Sequence, residues 1–205
     1  MRDLHQALAD ITAIRGQIAR GTEFRGYGPA ALFVTAMLAL LAAAAQAHWI
    51  GDPMHAIGAY LALWITTAAL CVLVVGIETV RRTRRMHDGL ADDMLRAAVE
   101  SFLPAATAGV LLTLVLLHSA AEELWMLPGL WQILFSLGAF ASCRSLPRPM
   151  IAVALWYLGA GLSCLTLANG SDALSPWTMG APFCIGQLLA AALLKQSFGA
   201  GDGES

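Results

Sequence analysis

AIGAYLALWITTAALCVLVVGIETV, residues 56–80, runs straight into RRTRR, residues 81–85. The first stretch carries one charged side chain, Glu78, close to its end. A bilayer core about 30 Å thick takes roughly 20 apolar residues of helix. The stretch is therefore long enough to cross, and the arginine run reads as its stop on the cytoplasmic side. Glu78 is placed to pair with those arginines.

The same window, carried outward, predicts five further spans. They cover Pro29 to about Ile50, about Phe102 to Ser119, and about Leu127 to Cys143. The last two cover Pro149 to Ala168 and Pro176 to about Leu194. Proline suits a helix start, because its missing N–H would be unpaired there anyway. Pro29, Pro128, Pro149 and Pro176 all stand at predicted starts, with Ser175 as N-cap of the last. Pro182 and Pro104 fall inside helices and should bend them. The fold class is all-α, a polytopic membrane protein of six transmembrane helices with cytoplasmic amphipathic helices. Its predicted domains are 1–28, 29–195 and a disordered Gly-rich tail at 196–205.

Composition agrees. Of 205 residues 58% are hydrophobic and only 13% charged, against about a quarter charged in a soluble domain. Mean hydropathy is +0.67. An ordinary soluble domain and a disordered chain are excluded. A net charge of −2 also excludes a nucleic-acid binder that works by bulk positive charge.

The charges set the orientation. All 12 basic residues precede span one, lie between spans two and three or four and five, or follow span six. The opposite loops hold Asp52, Glu122, Glu123 and Asp172 with no Lys or Arg. The positive-inside rule places both termini in the cytoplasm. Ala45-Gln46-Ala47 has the look of a signal-peptide cleavage site. The long charged segment before it and the full-length apolar run argue against cleavage.

Two cytoplasmic segments carry apolar stripes. Leu4, Leu8, Ile11, Ile14 and Ile18 recur at helical spacing before the connector Phe24-Arg25-Gly26-Tyr27-Gly28. Leu90, Met94, Leu95, Ala98, Val99 and Phe102 do the same in a helix at 87–101 that continues into span three. Such faces pack on the protein itself, lie on the bilayer, or bind a partner. Arg81, Arg82, Arg84 and Arg85 attract anionic lipid headgroups. Without interleaved aromatics they make a poor nucleic-acid site.

Inside the bilayer the sequence offers almost no charge, which disfavours a pump or a proton-coupled transporter. Gln132 and Gln187 are the polar groups there, expected to hydrogen-bond between helices. Gly138 with Ser142, Gly159, Gly161, Gly180 and Gly186 are candidate close-packing positions. Trp49, Trp125 and Trp177 fit an external aromatic belt, whereas Trp64, Trp131 and Trp156 lie deeper as packing residues. Four cysteines, at 71, 143, 164 and 184, lack metal or redox spacing and read as small apolar residues.

One constellation has ligand chemistry. His48, Asp52, His55, His118, Glu122 and Glu123 fall at the external ends of spans one to three. If those spans are neighbours, imidazoles and carboxylates gather at one depth. They would suit a transition metal such as Zn, Mn or Fe, or two histidines could hold a haem. The alternative is a set of interfacial groups satisfied by water and one another.

Phe24-Arg25-Gly26-Tyr27-Gly28-Pro29, Leu124-Trp125-Met126-Leu127-Pro128-Gly129-Leu130-Trp131-Gln132 and Leu174-Ser175-Pro176-Trp177 resemble segments of a group of uncharacterised small proteobacterial inner-membrane proteins. The resemblance extends over nearly the whole chain and brings no catalytic residues with it. It implies a membrane partner for a winged-helix regulator, a type of protein sometimes encoded beside the group. Three functional classes follow. The favoured one is a non-enzymatic membrane protein that binds a cytoplasmic partner, such as a regulator, or a second copy of itself. The others are an external metal or haem site, and a passive channel or transporter for a small neutral solute, with a polar cavity near Gln132 and Gln187.

Overall fold

The computed structural model describes residues 28–86, 90–143, 148–168 and 170–202. These residues are helical throughout, with no strand among them. The predicted amphipathic segment at 1–28 lies almost wholly outside the described residues. Six α-helices follow in order: α1 Pro29–Trp49, α2 Ile57–Met86, α3 Leu90–Ser119, α4 Leu127–Ser142, α5 Ile151–Leu167 and α6 Pro176–Asp202. Short 3-10 helices at Ala121–Met126, Arg148–Met150 and Gly170–Leu174 lead into α4, α5 and α6.

Five stretches are long and apolar enough to cross a membrane: Pro29–Trp49, Ile57–Arg81, Val99–Ser119, Ala121–Ser142 and Pro176–Gln196. These apolar helices fit a membrane-embedded chain. α5, at 17 residues, is shorter. Prolines begin α1, α4 and α6 as expected. Pro149 instead sits in the 3-10 turn before α5. Pro104 and Pro182 lie inside α3 and α6 without ending them. One expectation is corrected. The polar tail predicted to be disordered from 196 is helical through Asp202. No proline intervenes after Pro182, so α6 continues by simple propagation once formed.

Neighbour relations form a circuit with one weak link. α1 packs most extensively on α6, α4 on α5 and on α3, while α1 also packs on α2 and α5 on α6. α2 and α3 touch only slightly, so they form the open seam of the circuit. Both also present long apolar faces outward, through Ile65, Val72 and Leu73 on α2 and Val110, Leu114 and Val115 on α3.

The tight contacts rest on small residues, because close backbone approach maximises dispersion where lipid supplies no hydrophobic drive. Ala36, Ala39 and Ala43 of α1 are buried, and a Cβ on Gly180 of α6 would collide with Ala43. Between α4 and α5, a Cβ on Gly161 would sit 2.7 Å from the Gly129 carbonyl oxygen. Gly138 receives the ring of Phe102 from α3, and Gly186 receives the Tyr157 ring from α5. Of the predicted small positions, Gly159 alone meets nothing within 4 Å. Cys184 is buried, and Cys71, Cys143 and Cys164 are half-buried and unpaired.

Candidate functional site

The turn between α1 and α2 is built by Asp52. Its Oδ1 accepts the backbone N–H groups of Met54 at 3.0 Å and His55 at 3.3 Å. Its Oδ2 pairs with His55 Nδ1 at 2.7 Å. The His55 ring N–H, and after it the His55 backbone N–H, hold the Asp52 carboxyl below the usual carboxylate range. Both side chains are exposed, so this pair contributes little stability.

The other members of the external constellation do not join it. His48, His118, Glu122 and Glu123 are all exposed. The His48 ring lies edge-on to Trp49 at 5.7 Å, and Glu123 Oε2 accepts Trp125 Nε1 at 3.0 Å. Among the described residues no three His, Cys, Asp or Glu side chains are grouped to hold a metal ion. The expected gathering of His48, Asp52, His55, His118, Glu122 and Glu123 required spans one to three to be neighbours. α1 packs on α2 and more extensively on α6, and α2 and α3 barely touch.

The interior holds the more developed polar structure. Gln46, fully buried near the end of α1, donates Nε2 to the Leu174 carbonyl at 2.6 Å and accepts Trp64 Nε1 on Oε1 at 2.8 Å. One amide thus ties α1, α2 and the turn before α6. The sequence reading missed this residue. The signal was there: Gln46 continues the spacing of Ala39, Ala42 and Ala43, the packed stripe of α1.

Pro182 organises the second polar group. Having no N–H, it leaves the carbonyl four residues earlier, that of Thr178, without its helical donor. Gln132 Nε2 from α4 takes that place at 2.8 Å. Trp156 Nε1 of α5 donates to the Pro182 carbonyl at 2.9 Å. Tyr157 OH reaches the Phe183 carbonyl at 3.4 Å, a long bond. Gln187 Nε2 reaches Tyr157 OH at 3.4 Å, and its Oε1 lies 3.2 Å from Thr35 Oγ1 of α1. Gln132 and Gln187 therefore bond between helices, as expected from their positions.

The deeper tryptophans behave likewise: Trp131 Nε1 donates to Thr113 Oγ1 of α3 at 2.9 Å. Trp49 and Trp177, by contrast, are exposed, at the end of α1 and the start of α6. Two buried side-chain polar atoms have no hydrogen-bond partner among the described residues, Tyr60 OH and Gln132 Oε1.

No family model matches the chain, and no curated protein or solved structure matches it either.

Proposed function

We propose that the chain is a six-span bacterial inner-membrane protein, with both termini cytoplasmic, that works by binding a cytoplasmic partner. The observation that carries the reading is helix length. α2 and α3 each have 30 residues, about 45 Å at ~1.5 Å per residue, against a bilayer core of about 30 Å. Their apolar stretches end at Arg81 and begin at Val99. Continuous helix therefore extends past the apolar slab on the arginine-rich side, up to Met86 and from Leu90. Two helix ends standing in the cytoplasm are a natural platform for a partner helix. The apolar stripe at Leu4, Leu8, Ile11, Ile14 and Ile18 supplies a second apolar surface on that side.

Length arithmetic also supports the sixth crossing. α5 and the 3-10 turn Arg148–Met150 together make an unbroken helical run over 148–167. At ~1.5 and ~2.0 Å per residue it reaches about 30 Å. The resemblance to small proteobacterial membrane proteins points the same way. A regulator-type protein is the partner class proposed, and lipid headgroups are the ligands proposed for Arg81, Arg82, Arg84 and Arg85.

The test is affinity purification of the full chain and of a deletion of residues 2–20 from membranes. The deletion is expected to lose a cytoplasmic protein that the full chain retains. An unchanged set of co-purifying proteins, with the deletion variant normally inserted, refutes the proposal.

A further inference from the structure

We infer that the inward face of α2 holds one acyl chain of an anionic phospholipid, whose phosphate sits on Arg81. The inference deepens the headgroup role proposed for the arginines and rests on it. It does not depend on the cytoplasmic partner.

Tyr60, Trp64, Thr67, Cys71, Val74 and Glu78 follow one another four and three residues apart, and so share one face of α2. Tyr60 and Trp64 are 0% and 4% exposed, which identifies that face as the one turned to the bundle. Beyond Trp64 the same face is only half-buried, at Thr67, Cys71, Val74 and Glu78. No residue from Ile65 to Glu78 is buried. α1, by contrast, has buried residues along its length, from Ala31 to Gln46. α2 is therefore seated at its first turns and stands off further along. Thr79, one position round the helix, is 1% exposed, so the gap is confined between Trp64 and the arginine end. The packing allows it: α2 packs on α1 and barely touches α3. The weak seam between α2 and α3 opens the gap sideways to the bilayer.

The length of the gap fits one occupant. Thr67 to Glu78 is eleven residue steps, about 16 Å at ~1.5 Å per residue. One leaflet is half of a core about 30 Å thick, so the gap has the depth of a single acyl chain. Its lining offers a polar solute no good partner. Thr67 Oγ1 donates to the Leu63 carbonyl of its own helix at 2.8 Å, and Cys71 and Val74 are apolar or nearly so. A polar group placed there would stay unpaired. A partner helix is about 10 Å across, too wide for a face already half-covered.

The charge changes at one end. Arg81 is exposed and opens the run Arg81, Arg82, Arg84 and Arg85, against the single carboxylate of Glu78 one turn before. This end attracts an anion. A molecule that is apolar over one leaflet and anionic at the arginine end is a phospholipid.

The experiment is native mass spectrometry of the full chain in detergent micelles, titrated with phosphatidylglycerol or with phosphatidylcholine of the same acyl chains. The parent is expected to retain one phosphatidylglycerol. Arg81→Gln should lower that affinity about fivefold, the factor one arginine contributes near an anionic surface, and leave phosphatidylcholine unchanged. Cys71→Trp fills the gap and should lose the lipid with Arg81 still in place. A Cys71→Trp variant that binds phosphatidylglycerol as the parent does overturns the inference and leaves the headgroup role standing. Equal affinity of the parent for the two lipids overturns both.

Should Cys71→Trp fail to fold, phosphatidylglycerol carrying a photoreactive diazirine in its acyl chain decides instead. Adducts at Thr67, Cys71 or Val74 of the parent support the site. Adducts confined to outward positions such as Val72 and Leu73 are ordinary bilayer contact and overturn it.

Discussion

Replacing Gln46 by Leu tests whether one buried amide ties α1, α2 and the turn before α6 together. Leucine has a similar volume and keeps the apolar contacts, but both hydrogen bonds vanish. Trp64 Nε1 loses its acceptor, and the Leu174 carbonyl loses its 2.6 Å donor. A bond of this kind between membrane helices contributes on average about 0.6 kcal/mol and at most about 1.7. Two bonds therefore give about 1–3 kcal/mol. Each ~1.4 kcal/mol is tenfold, so the folded fraction should shift roughly tenfold to a hundredfold. Equilibrium unfolding in mixed micelles, followed by far-UV circular dichroism, measures it. The companion variant Trp64→Phe removes only the second bond, and in the Gln46→Leu background it should cost measurably less than alone. Equal stability of Gln46→Leu and the parent, or strict additivity of the pair, refutes the reasoning.

Gly180→Leu should abolish assembly of α1 on α6, because Ala43 occupies the space its side chain needs. Gly159→Ala, with nothing within 4 Å, should be silent in the same unfolding assay. Pro182→Ala restores an N–H for the Thr178 carbonyl. Gln132→Leu should then cost less in that background than in the parent, by up to about 1 kcal/mol, and an undiminished cost contradicts the role given to the proline. In the turn between α1 and α2, the pKa of the Asp52 carboxyl is lowered in the folded state. Its contribution is present above the unfolded carboxylate range and is lost as pH falls through the lower folded value. NMR titration of Asp52 should show a midpoint below 3.8, the reference for an isolated side chain. His55→Ala should raise that midpoint, and an unchanged midpoint rules the pair out as the cause.

Much of the fold was legible because length and apolarity are properties of a single helix. The window that finds Pro29–Trp49 needs no knowledge of its neighbours. Prolines marked three of the helix starts, and Gly138, Gly161, Gly180 and Gly186 pointed to close contacts. The choice of neighbours was not legible. In a soluble helix the apolar stripe shows which face is buried. In α1, lipid-facing Leu41 and buried Leu32 are chemically alike, so the pattern does not say that α6 is the partner. The histidine constellation depended on that missing information, and among the described residues no three of its members are grouped. Gln46 was obscured for a related reason. Its setting among alanines suits a cleavage site and a packed seam equally well in one dimension. Pro182 was seen as a bend, but the carbonyl it frees becomes meaningful only when α4 brings Gln132 beside it.

The pairing of α1 with α6 also has a consequence in time. Gln46 and its acceptor at Leu174 are 128 residues apart. Synthesis at about 5–20 residues per second separates their emergence from the ribosome by roughly 6–26 s. For that interval the amide and the alanine seam that α6 covers in the folded chain are without their partner. The nascent chain must therefore remain beside an insertion chaperone, or borrow a temporary neighbour, until the last helix arrives. Chains truncated before α6 should be short-lived for that reason, while every helix they contain remains apolar enough to insert.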